Sequence, residues 1–77
     1  MRKEFCEKDD IRITYLEDNV CFEDIKSADS ILISNEGKIL FNNFDEEKTK
    51  YFLAYFQKIY HAVELLREMD SMEVAFR

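Results

Sequence analysis

The 77-residue chain contains no proline, no tryptophan, one glycine and one histidine. A single glycine, Gly37, cannot build the glycine-rich loop that cradles phosphate, nor a dinucleotide fingerprint. The absence of proline excludes polyproline and collagen-like segments. No stretch reaches the roughly 18–20 uninterrupted apolar residues of a membrane span. The start, Met1-Arg2-Lys3-Glu4-Phe5, meets acids instead of an apolar run, so it does not read as a secretory signal, and an intracellular, cytoplasmic location is expected.

Chemistry-bearing residues are scarce. His61 is the only histidine and falls on the polar side of its helix, where a solvated role is expected. Cys6 and Cys21 have no metal-ligand spacing and read as two reduced thiols, with a disulfide from arm to strand as the alternative. Nothing in the sequence sets either thiol beside His61, as nucleophilic catalysis would require. The acid pairs Asp9-Asp10, Glu17-Asp18 and Glu23-Asp24 are adjacent in sequence, and neighbours on a strand point to opposite faces, a poor basis for acid–base work. No catalytic residue, metal or cofactor is expected, and the chain does not read as an enzyme.

What is present is apolar material and negative charge. Hydrophobic residues make up 47% of the chain and aromatics 14%, enough for a core. The net charge of −6, with Arg2-Lys3 as the main basic cluster, argues against direct binding of nucleic acid. The length suits a single domain, 1–77.

Residues 1–10 read as a mostly polar N-terminal arm, and 11–41 as two β-hairpins. Ile11 to Tyr15 alternates and is rich in β-branched residues, as strands are. A two-residue turn at Asp18-Asn19 would pair Tyr15 with Phe22 and Leu16 with Cys21. Ile11, Ile13, Tyr15, Val20 and Phe22 then share one face. The second hairpin, Ile31–Ser34 with Lys38–Phe41, closes through Asn35-Glu36-Gly37, with Gly37 at the left-handed third position. That register puts Ile31, Ile33, Ile39 and Phe41 on one face and Leu32 and Leu40 on the other.

Asn43 or Asp45 can cap the helix that follows, and Asn43 with Glu46 resembles a capping box. The helix is expected over 45–70. Phe52, Tyr55, Phe56, Ile59, Val63 and Leu66 form its apolar stripe, widened by flanking residues to about 200°, more than one sheet face covers. Residues 71–77 alternate again and offer a short fifth strand, to this sheet or a partner's. The expected fold is α+β: an antiparallel four-stranded sheet with one long C-terminal helix packed across it.

Two surpluses follow. A helix of about 39 Å overhangs a sheet whose strands span about 23 Å, leaving Leu65, Leu66 and Met69 in want of cover. The second sheet face carries Leu16, Cys21, Ile25, Leu32 and Leu40. The arm can fold over that face through Phe5, but a homodimer or protein partner is the favoured cover. Leu16, Ile25, Leu32, Leu40, Leu65 and Met69 are therefore the candidate apolar contact residues.

The hairpin tips carry Glu17, Asp18 and Glu36, and a helix antiparallel to the last strand would end near them with Glu68 and Asp70. These five acids are the candidate contact for a basic partner. Phages use small acidic single-domain proteins of this kind against host nucleases and polymerases. By that analogy of class, the leading expectation is a non-catalytic binding protein that inhibits a basic, nucleic-acid-handling protein. A homo-oligomeric assembly subunit and an antitoxin- or immunity-type partner are the alternatives.

Overall fold

A computed structural model describes residues 2–75, with side chains for residues 2–70. Its order is β1 (Lys3–Lys8), β2 (Ile11–Tyr15), β3 (Asn19–Asp24), β4 (Ser30–Ser34), β5 (Ile39–Asn42) and α1 (Glu46–Ala75). The strands form one antiparallel sheet in chain order, β1-β2-β3-β4-β5, and α1 packs across one face. The α+β architecture read from the sequence is the one found. The fifth strand lies at the other end of the chain from the one expected.

The arm is that fifth strand. Lys8 pairs with Ile11 across Asp9-Asp10, whose φ values are +52° and +65°. Positive φ at both central residues defines the two-residue hairpin turn whose twist matches paired strands, and aspartate tolerates it. A bulge between Glu4 and Cys6 breaks the alternation. The extra residue lets Phe5 and Cys6, adjacent in sequence, both pack against the core. Phe5 therefore does not fold over the outer sheet face.

The next turn is two residues long as expected, but it falls at Glu17-Asp18, one residue earlier than Asp18-Asn19. Tyr15 pairs with Val20 and Thr14 with Cys21, and the Leu16 N–H donates to the Asn19 carbonyl at 3.0 Å. The register differs by two residues from the expected one. Because side chains alternate with a period of two, a two-residue slip leaves each residue on its face. Ile13, Tyr15, Val20 and Phe22 are accordingly all buried together.

Gly37 adopts φ +86°. Its N–H donates to the Ser34 carbonyl, and the Ser34 N–H donates to the Lys38 carbonyl at 2.8 Å. Past the turn, however, Ile33 pairs with Ile39 and Leu32 with Phe41, with the register shifting between them. The extra residue moves Phe41 to the Leu32 face, away from Ile31 and Ile33, correcting the expected alternation.

Asp45 caps α1, accepting a hydrogen bond at Oδ1 from the Lys48 N–H at 2.8 Å. Asn43 does not form the capping box; its Oδ1 accepts from the Ser30 N–H at 2.7 Å, fastening β5's end to β4. The helix runs 30 residues to Ala75. Asp70-Ser71 does not end it, since neither residue removes a backbone donor or forces positive φ. Residues 71–75 are therefore helical, not a strand, and residues 76–77 lie outside the described residues.

The core lies between the helix and one sheet face. Ile13, Val20, Phe22, Ile31 and Ile33 meet Phe52, Phe56 and Val63. The Phe22 and Phe52 ring centroids are 5.2 Å apart, and those of Phe44 and Phe52 are 4.8 Å apart. Tyr51, Leu65 and Met69 remain exposed along one flank of α1. Their exposure follows from the width of the stripe. Overhang does not explain it, because Arg67 and Asp70, in the same turns, still bond to the sheet.

Candidate functional site

The two hairpin tips and the C-terminal part of α1 meet at one end of the molecule. Asn35 ties the tips together: its N–H donates to the Asp18 carbonyl at 3.1 Å, and its Nδ2 donates to the Glu17 carbonyl at 3.0 Å. Glu17, Asp18 and Glu36 are all exposed there. None of the three forms an ion pair among the described residues.

Arg67 ties the helix to this end. Its Nε donates to the Leu16 carbonyl at 2.9 Å and its Nη2 to the Asn19 carbonyl at 3.1 Å. Its Nη1 pairs with Glu64, and the guanidinium carbon lies 6.0 Å from the Tyr15 ring centroid. A planar fork fills this role, because two carbonyls at different angles must be reached by one side chain. The Tyr15 hydroxyl donates to Asp70 Oδ2 at 3.1 Å, and Lys3 Nζ lies 3.6 Å from the same oxygen. Burial and that hydrogen bond push the Tyr15 hydroxyl above its ordinary value of 10.0.

A cleft of about 510 Å³ opens between these groups, walled by Tyr15, Leu16, Glu17, Asp18, Arg67 and Asp70. Within it Tyr15 is matched to Asp70 and Arg67 to backbone carbonyls, while the Glu17 and Asp18 carboxylates of the wall are in no ion pair among the described residues. Of the five acids expected at this end, Glu17, Asp18 and Asp70 line the one cleft. Glu36 stands on the adjoining tip. Glu68 is exposed on the helix, outside the cleft. Asp70 is occupied by Tyr15 and Lys3, while Glu17, Asp18, Glu36 and Glu68 are in no ion pair among the described residues, the first three of them at the hairpin tips. Sequence reasoning missed Arg67 as the fastener. A lone arginine in the last turns of a helix headed for a turn of exposed carbonyls was the available signal.

The apolar candidates do not form one surface. Leu16 is half-buried in the cleft, Ile25 lies just past β3, Leu65 and Met69 lie on the helix flank, and Leu32 and Leu40 lie at the β4–β5 side. The outer sheet face is polar over β1–β3, where Arg12 stands 3.4–3.7 Å from Glu4, Glu7 and Glu23. It turns apolar toward β5, along the row Cys21, Leu32, Phe41.

Cys6 pairs with Ile13 on the helix side, while Cys21 pairs with Thr14 on the outer face. One strand separates β1 from β3, so the two backbones are about 9.6 Å apart, beyond disulfide reach. Both are free thiols. Among the described residues no cluster of three His, Cys, Asp or Glu is placed to hold a metal, and no helix is long and apolar enough to cross a membrane. Comparison with protein-family models, curated proteins and solved structures finds no match to this chain.

Proposed function

We propose that this chain is a non-catalytic protein-binding module that docks its acidic hairpin end on a basic, nucleic-acid-handling protein and blocks that protein's groove. One observation carries the reading: Glu17, Asp18 and Glu36 stand exposed and, among the described residues, outside any ion pair, on two tips that Asn35 binds into a single surface. Paired surface acids are already neutralised. Unpaired ones on a rigid tip raise the local field and steer a basic partner into register. The cleft beside them, with its Leu16 and Tyr15 walls, supplies apolar contact next to the charge.

The test is capture from an extract of the native cell on the immobilised protein, eluted by raising salt from about 50 to 500 mM, over which the Debye length falls from roughly 14 to 4 Å. The expected result is a basic protein that leaves in the salt step and is displaced by added nucleic acid. A captured partner retained through the step, indifferent to nucleic acid, would overturn the reading. The homodimer expected from the sequence belongs to this proposal as well, on a different surface.

A further inference from the structure

The two edges of the sheet differ. Edge strand β1 carries Lys3, Glu4, Glu7 and Lys8 and a bulge, the usual guards against pairing with another chain. Edge strand β5 also has a bulge, but it has no charged residue, and Ile39, Leu40 and Phe41 are 44%, 55% and 53% exposed. Three consecutive apolar residues on an open edge form a ready template for another strand.

We propose that two copies of this chain pair antiparallel along β5, with the two-fold axis near Phe41, to make one ten-stranded sheet. The axis runs normal to the sheet, so both helices lie on the same face. On the other face the row Cys21, Leu32, Phe41 continues into its symmetry mate and becomes one apolar band instead of two half-bands ending at water.

Charge selects a second copy as the occupant. Lys38 stands at one end of β5, and Asp45-Glu46-Glu47 follows the other end. Asp45 caps the helix and Glu46 pairs with Lys50. Lys38 and Glu47 are in no ion pair among the described residues. Antiparallel self-pairing sets the Lys38 of each copy against the acidic helix start of the other, twice by symmetry. The exposed helix flank of Tyr51, Leu65 and Met69 offers no such match, since Lys58 interrupts it.

Sedimentation equilibrium from 1 to 100 μM on the whole chain tests this, with circular dichroism on every variant. The wild type is expected at twice the chain mass. Lys38→Glu turns two attractions into repulsions and should weaken the dimer about tenfold, on the scale of paired surface charges. Lys38→Glu combined with Glu47→Lys should restore it. Both positions are exposed, so this arm reads association apart from folding. Leu40→Glu should give a folded monomer, and Met69→Glu should leave the dimer intact. A monomeric wild type, a charge swap that fails to restore, or a dimer lost by Met69→Glu and kept by Leu40→Glu would each overturn the proposal. The hairpin-tip acids Glu17 and Asp18 play no part in it, so failure here is distinct from failure of partner binding.

Discussion

At the scale of single residues, the left-handed positions divide into one the sequence announced and others it did not. Gly37 is the only glycine and stands where a three-residue turn needs positive φ. A Cβ there would meet only Gln57 Nε2, at an ordinary 3.9 Å. The cost of replacing it therefore lies in the backbone: Gly37→Val should destabilise by about 1–2 kcal/mol and Gly37→Asn by less. Ala28, at φ +64° in the β3–β4 loop, has no such signal. It is held there because Asp24 organises the loop, accepting from the Lys26 N–H at Oδ1 and from the Ala28 N–H at its carbonyl. Ala28→Gly relieves the strain and should raise stability by about 0.5–1 kcal/mol. Urea denaturation of the three variants reads both signs; a loss at Ala28→Gly would show that the loop conformation differs.

The same scale sets the response to alkali. Tyr15 ionises above 10.0 because it is buried and donates to Asp70. Burial likewise raises Cys21 above 9.0. A group that holds its proton more tightly folded than unfolded stabilises the fold while protonated. That contribution is complete below the unfolded value and disappears as pH rises through the folded one. The urea midpoint should hold from about pH 7 to 8.5 and decline between about pH 9 and 11. Tyr15→Phe should flatten the part of the decline above about pH 10; an unchanged slope would remove Tyr15 as its source.

At the scale of elements, the sequence was most legible where a pattern had one solution. The alternation of Ile11–Tyr15 and the double-faced run Ile31–Ile33 gave strands, and the spacing from Phe52 to Leu66 gave the helix stripe. The arm was not legible. A bulge at Glu4–Cys6 erased its alternation, and its turn used Asp9-Asp10, a pair that reads first as charge. The bulge in β5 hid Phe41's face in the same way. Faces survived a turn misplaced by one residue, Glu17-Asp18 for Asp18-Asn19, because the resulting register slip of two was even. Arg67 joins helix to turn with two backbone hydrogen bonds that need a fork. Arg67→Ala should cost about 2 kcal/mol, and Arg67→Lys should recover less than half, because one ammonium cannot hold the Leu16 and Asn19 carbonyls together. Thermal unfolding decides this; full recovery by lysine would reduce Arg67 to a simple charge.

At the scale of the whole molecule, the hairpin tips carry acids that are in no ion pair among the described residues, and the open β5 edge carries apolar surface. The clustering of Glu17, Asp18 and Glu36 was readable in outline, since a meander returns its tips to one end. The fastening by Asn35 was not, because it depends on the spacing between two hairpins, which no local pattern encodes. The rate at which the chain associates with its captured partner, compared between wild type and the variant carrying Glu17→Lys and Asp18→Lys, is the most direct measurement of partner binding through the acidic end. At low salt the association rate constant should fall at least tenfold in the variant, with the dissociation rate and thermal stability little changed, because steering acts before docking. Equal association rates for the two proteins, at low and high salt alike, would contradict it and leave the acids as solubilising surface alone.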